Sequence, residues 1–341
     1  MPEPLSLTQR QPSLSVTELL AEFVPPPHFG RVRFENYIPD PAHPTQAAAV
    51  AALAAFASRV GTPTPARRGF FRRPAPPEGR NGVYLDGGFG VCKTHLLASL
   101  WHVVPGPSCY GTFVEFTNLV GALGFRTAVE ALKGYRLVCI DEFELDDPGD
   151  TVLMSTLLNE LVDAGVYLAA TSNTLPDKLG EGRFAADDFL REIQGLAAHF
   201  DVLRIEGEDY RHRGLPEAPE PCTDDEVVDQ VAGRPGAALD DFTRLTQHLV
   251  HVHPSRYGAL VEGVPLLGLT QVRTISDQAQ ALRVVVLVDR LYDRDVPVVA
   301  SGVPLDRLFA PDLLRGGYRK KYFRAVSRLV ALARDGQAMV G

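Results

Sequence analysis

The sequence predicts an α/β protein, with a mostly parallel five-stranded sheet flanked by helices and a smaller α/β subdomain at the C-terminal end. Three observations carry this. Short apolar runs ending in polar residues alternate with amphipathic helical segments, the rhythm of parallel strands joined by crossover helices. Two of these runs, 137–140 and 166–170, are apolar throughout, as in strands buried on both faces. The first run, 83–85, leads through a glycine-rich turn straight into a helix.

The 341 residues supply material for about two domains, and 45% hydrophobic with 22% charged residues fits an ordinary globular chain. A formal net charge of −8 argues against an extended basic face for duplex nucleic acid. The four cysteines, Cys92, Cys109, Cys139 and Cys222, show no metal-binding spacing, which favours a reducing compartment. With no signal-like segment and no apolar run long enough to cross a bilayer, a cytoplasmic location is expected.

Residues 1–30 are Pro-rich and read as a loosely packed arm with one amphipathic piece at 16–23. The main domain is expected over 31–212, an acidic Pro/Gly-rich linker over 213–240, and the C-terminal subdomain over 241–341. The Ala-rich run 46–60 is a helix, with Pro44 before it and Thr45 as N-cap. Residues 61–81 form a Pro/Gly-rich loop holding Arg67, Arg68, Arg72, Arg73 and Arg80, either a solvated insertion or a contact for nucleic acid or a partner. Residues 110–116 alternate as a second strand, and 119–132 are helical. Asp147 as N-cap, Pro148 at the first helical position and Asp150 start the next helix. Leu153, Leu157 and Leu161 mark its face, and Gly165 its C-terminal cap. Residues 200–205 complete five strands.

Beyond residue 240 come a helix at 240–253, strand-like alternation at 266–275, a helix at 278–292 and a strand at 296–300. A basic amphipathic helix at 322–331 carries Arg324 and Arg328. Segments 159–179 and 288–309 share the order helix, turn, apolar strand, polar residues and Pro. That likeness is too short for a duplication, but it makes the C-terminal part α/β as well.

The chemistry resides in three places. Gly87, Gly88, Phe89, Gly90, Val91, Cys92, Lys93, Thr94 and His95 follow a strand and open a helix, in the pattern G-x-x-x-x-G-K-[ST]. The glycines let backbone N–H groups wrap a polyphosphate, and the helix N-terminus adds its dipole. Lys93 would reach the β- and γ-phosphates, and Thr94 would place its hydroxyl on Mg²⁺. Asp141-Glu142 ends the apolar strand 137–140, where two bare carboxylates repel unless a cation joins them. Asp141 would hold Mg²⁺ through water, and Glu142 would orient and polarise the attacking water. Thr171-Ser172-Asn173 ends the next strand, with Asn173 placed to hold that water. Arg183, and after it Arg191, are candidates for an arginine finger serving a neighbouring subunit. Together these define an ATP site with Mg²⁺.

The segments GGFGVCKTHLL, LVCIDEFELDD, ATSNTLPDKL, EGEDYRHR and the terminal FRAVSRL resemble a known family. It comprises the AAA+ ATPases of the bacterial cell-division protein ZapE and the mitochondrial AFG-type (lactation-elevated) ATPases. The likeness covers nearly the whole chain, from about residue 34 to 329. It implies an AAA+-like P-loop NTPase fold, ATP hydrolysis, a homo-oligomer completed by arginine fingers and, for bacterial members, association with the FtsZ division ring. It also implies a sensor-2-like arginine, Arg328 or Arg324.

Two positions depart from that family. Its FLP segment reads Phe189-Leu190-Arg191, and the last glycine of the P-loop is Cys92. A Cβ there adds bulk beside the phosphates and is strained if φ is positive, so nucleotide binding weaker by about 1–3 kcal/mol is expected. Two other readings use the same residues. One is a helicase-loader-type ATPase contacting single-stranded DNA through the arginine loop. The other is a nucleotide-binding scaffold whose turnover Cys92 has weakened or removed.

Overall fold

The computed structural model describes residues 4–13, 15–61, 80–88, 91–143, 148–174, 194–195, 197–207 and 217–340. The chain divides into two compact units, one of Leu20–His212 and one of Met1–Leu19 with Arg213–Gly341.

The first unit is built on β1 (Gly82–Gly87), β2 (Ser108–Thr112), β3 (Leu137–Asp141), β4 (Tyr167–Ser172) and β5 (Phe200–Ile205). Their order is β2-β3-β4-β1-β5, and every pairing is parallel. Among the described residues, the α-helices preceding β5 in the chain are α1 (Val16–Ala21), α2 (Pro44–Gly61), α3 (Lys93–Val103), α4 (Phe113–Leu123), α5 (Phe125–Leu132) and α6 (Pro148–Asp163). Leu53, Phe56, Leu85, Leu96, Leu97, Leu100 and Cys139 join one core between sheet and helices. Placing β4 between β1 and β3 has a direct consequence. The carboxyl ends of the three strands carrying the expected site residues lie side by side, where ligands bind in open α/β sheets.

The expected strand at 110–116 stops at Thr112, and α4 begins at Phe113. Thr112 accepts from the Glu115 N–H, and Glu115 Oε2 accepts from the Thr112 N–H at 2.6 Å. This reciprocal capping box ends the strand, and Phe113, Phe116 and Val120 are buried at helical spacing. Gly124 (φ 78°) then splits the expected 119–132 helix in two. Gly165 does cap α6: it has φ 86°, its N–H bonds the Val162 carbonyl, and the Val166 N–H bonds Leu161. The expected N-cap Asp147 lies outside the described residues.

The second unit holds the parallel sheet β6 (Ala238–Asp241), β7 (Leu267–Val272) and β8 (Val298–Gly302). Its longer helices are α7 (Asp224–Ala232), α8 (Phe242–His251), α9 (Gln278–Asp293) and α10 (Arg319–Val340). Two expectations change here. The stretch read as linker contains α7, started by a Thr223–Glu226 capping box, and strand β6. Its Pro/Gly-rich composition hid T-x-x-E, a helix-start signature. Of the arm read as loosely packed, the part up to Leu19 is instead stitched into this unit. Leu5 pairs with Ala238, and Leu7 is fully buried in the core. Buried Asp240 accepts from Ser6 Oγ at 2.6 Å and the Leu7 N–H at 2.9 Å. Arg10 donates to the carbonyls of Leu260 and Glu262. Leu7→Ala is therefore expected to destabilise this unit by about 2–5 kcal/mol. An unchanged urea midpoint would return the segment to a dispensable arm.

Candidate functional site

The turn after β1 is shaped by close approaches. A Cβ on Gly87 would lie 2.4 Å from the Ile205 carbonyl oxygen, so only glycine fits, whereas Gly88 faces open space. Phe89 and Gly90 lie outside the described residues. Val91 is buried, and its carbonyl accepts from the Tyr37 hydroxyl at 3.3 Å. The Tyr37 ring meets His95 edge-on at 5.5 Å. The His95 Nε2 lies 3.2 Å from the Arg33 carbonyl oxygen. Residues 33–37 thus lie against the turn and the first turn of α3. Tyr37's phenol is pushed up by burial first and then by neighbouring Cys92.

Cys92 is the N-cap of α3, at φ 56° and ψ 38°, in the left-handed region where the glycine of the pattern would be unstrained. The positive φ on which the strain expectation depended is therefore present. Cys92→Gly should remove about 1–2 kcal/mol of strain and add about 0.5–1 kcal/mol of unfolded-state entropy. A net gain in stability of between about 0 and about 1.5 kcal/mol is expected by urea unfolding. Tighter ATP binding by the same variant, read by calorimetry, would bear out the expected loss of about 1–3 kcal/mol. A variant less stable than the parent would show that the turn relaxes the strain by other means.

Lys93 closes the turn on itself. Its Nζ donates to the Gly87 carbonyl at 2.8 Å, the Gly88 carbonyl at 2.7 Å and Asn173 Oδ1 at 2.9 Å. The ammonium group of the glycine-rich segment and the amide at the end of β4 are thus in contact.

Beside them, Asp141 ends β3 and is almost wholly buried. Its Oδ2 accepts from the Tyr110 hydroxyl at 2.9 Å. Its Oδ1 accepts from the Thr171 hydroxyl and from the Glu142 N–H at 3.1 Å. The Thr94 hydroxyl lies near enough to favour the charged form of Asp141. Glu142 has φ 53°, held by its N–H to Asp141 Oδ1 and to Thr171 Oγ1 at 3.1 Å, while the Phe143 N–H bonds the Thr171 carbonyl. Strain at a half-buried acid, over-determined by its neighbours, is what functional positions store.

Burial first, and then the charge of Glu142, hold the Asp141 carboxyl above the ordinary carboxylate range, against the hydroxyls of Thr171, Tyr110 and Thr94. Burial and the same carboxylate push Tyr110's phenol well up. A buried acid penalised in this way is relieved by a cation. The donors at hand are oxygens, Thr94 and Asp141, which suits hard Mg²⁺. Among the described residues no three His, Cys, Asp or Glu side chains cluster as a metal cage. This fits an ion that takes one or two protein oxygens and completes its shell with phosphate and water.

Arg183 and Arg191 are outside the described residues, as are Arg67, Arg68, Arg72 and Arg73. Arg80 donates to the Phe200 carbonyl at 2.5 Å, a structural tie rather than an open contact. Arg328 belongs to the second unit, where its guanidinium pairs with Asp289 Oδ1 at 2.5 Å and stacks over Tyr292. Arg324 takes Asp289 Oδ2 at 2.9 Å. Sequence reasoning missed Tyr110 and Tyr37. Tyr110 has one usable signal, a tyrosine in a short strand next to an acid-tipped one. Tyr37 has none, because α2 and β1 lie between it and the glycine-rich segment in the chain.

Sheet order and strand-end residues define a P-loop NTPase of the AAA+ kind. The family model for AFG1-like ATPases matches residues 14–235 and 226–338, and the chain belongs to that family. Cell division protein ZapE of Escherichia coli (strain K12) is 28% identical over 291 residues, covering 73% of this chain and 76% of its own length. Lactation elevated protein 1 homolog B of Danio rerio is 26% identical, over 56% of this chain and 45% of its own. Among solved structures, domain III of the Thermotoga maritima replication initiation protein DnaA matches with a TM-score of 0.40. It is 24% identical and covers 54% of this chain and 69% of that one. No described helix is long and apolar enough to cross a membrane.

Proposed function

We propose that this chain binds ATP with Mg²⁺ at the carboxyl ends of β1, β3 and β4 and hydrolyses it to ADP and phosphate. The cycle would then remodel or regulate a protein partner. The observation that carries this is the convergence of three separate segments. Lys93 Nζ meets Asn173 Oδ1, and Asp141 at the end of β3 meets Thr171 of β4 beside Glu142. Membership of an ATPase family supports the same reading.

In this reading Gly87 to Thr94 cradle the phosphates, and Lys93 exchanges its carbonyl partners for phosphate oxygens. Thr94 and Asp141 would hold Mg²⁺, which neutralises charge on the phosphates when bound. Glu142 takes up the proton of the attacking water or orients it, and Asn173 holds that water in line. Arg183 or Arg191 would complete a neighbour's site in a homo-oligomer. Arg328 is assigned to holding α10 on α9 through Asp289. By likeness to ZapE the partner belongs to cell division, with the FtsZ ring as the first candidate. The test is phosphate release by the full chain with MgATP, beside the Glu142 and Lys93 variants argued in the Discussion. A wild-type rate no higher than theirs overturns the reading.

A further inference from the structure

We propose that Tyr110 is a positioning residue that locks the Asp141 carboxylate in the orientation needed to receive Mg²⁺ with the nucleotide. This rests on the ATP site proposed above.

The geometry follows from register. Tyr110 pairs with Cys139 across β2 and β3, and Cys139 and Asp141, two residues apart, share one face of the strand. Tyr110 is therefore on Asp141's side of the sheet, one step back from the strand end. Its buried ring brings the hydroxyl to 2.9 Å from Oδ2. The other oxygen is held from β4 by Thr171 and from the chain by the Glu142 N–H.

Rotation of a carboxylate about its terminal torsion is otherwise broad and soft. Held on one oxygen from β2 and on the other from β4, the Asp141 plane is fixed by its neighbours. Thr94, whose hydroxyl is near enough to favour the charged form of Asp141, is the group that would turn toward the ion. Tyr110 itself touches neither nucleotide nor metal. Outer-shell donors of this kind typically change metal affinity by about 10–100-fold when removed.

The experiment uses the full-length protein and ADP carrying a fluorescent ribose label, first in EDTA and then in a MgCl₂ titration. Tyr110→Phe keeps the ring and removes only the hydroxyl. Its affinity in EDTA is expected within about twofold of wild type, because Asp141 acts through the ion. The Mg²⁺ concentration at half-effect is expected to rise about 10–100-fold. Thr171→Val, which removes the β4 donor from Oδ1 and leaves the Glu142 N–H on it, is expected to move the Mg²⁺ midpoint in the same direction. In an Asp141→Asn background, Tyr110→Phe should add no further shift. An unchanged midpoint in Tyr110→Phe overturns the assignment. So does an equal shift in the Asp141→Asn background, which would make Tyr110 a packing residue. Failure of wild type to bind the labelled ADP under either condition overturns the nucleotide site itself, and this assignment with it.

Discussion

Glu142→Gln is expected to lower ATP turnover by about 10²–10⁴-fold, the usual worth of a positioned general base, while ATP still binds. The substitution preserves shape and removes the negative charge, and with it the capacity to take a proton. Gln is preferred to Gly because position 142 sits at φ 53°. A glycine would relieve backbone strain and mix a stability change into the rate. The three hydrogen bonds that set this turn involve the backbone N–H groups of residues 142 and 143, with Asp141 and Thr171 as acceptors, so Gln leaves them in place. The Glu142 charge is also one cause of the raised Asp141 carboxyl. Removing it removes a repulsion, and the variant should be no less stable than the parent. Single-turnover phosphate release and calorimetric ATP binding measure the two halves. Turnover within a few-fold of wild type would transfer the role of base to another group.

Much of this site is legible in the sequence because it is coded locally. An apolar run that ends in Asp141-Glu142 declares both a buried strand and the end where charge must collect. Lys93-Thr94 after glycines declares a strand-to-helix turn. What could not be read is coded across the sheet. Tyr110 meets Asp141 only because β2 is the neighbour of β3, and strand order is not a property of either segment.

The strand expected at 110–116 failed for a different reason. Tyr110, Thr112, Val114 and Phe116 alternate, yet the Thr112–Glu115 capping box overrides the alternation, and Phe113, Phe116 and Val120 are buried as a helical stripe. The arm at 1–30 read as loosely packed because it is Pro-rich. Its anchoring depends on Asp240 and on a core gap for Leu7, both supplied by residues far along the chain. The strained φ at Cys92 was inferable from the missing glycine, and the structure places it in the left-handed region.

Replacing Lys93 by Met is expected to fail at an earlier step than Glu142→Gln, and the contrast separates their roles. The ammonium donates to three oxygens, two loop carbonyls and Asn173 Oδ1. A bound triphosphate offers stronger, charged acceptors in their place. Loss of one charge-assisted interaction costs about 1.5–3 kcal/mol, so ATP affinity should fall about ten- to a hundredfold. Loss of a donor aimed at developing phosphate charge should lower the rate of the bound complex by about a further 10²–10³-fold. Together kcat/KM would drop about 10³–10⁵-fold. Met keeps most of the aliphatic stem, and the carbonyls of Gly87 and Gly88 lie near solvent, so the melting curve should hardly move. Arginine is no rescue, since a planar fork cannot make the three converging contacts of a compact ammonium. The two variants then divide the site cleanly. Glu142→Gln binds ATP and does not turn it over, whereas Lys93→Met loses both. A Lys93→Met protein that binds ATP as tightly as wild type would place the charge that meets the terminal phosphates on a different side chain.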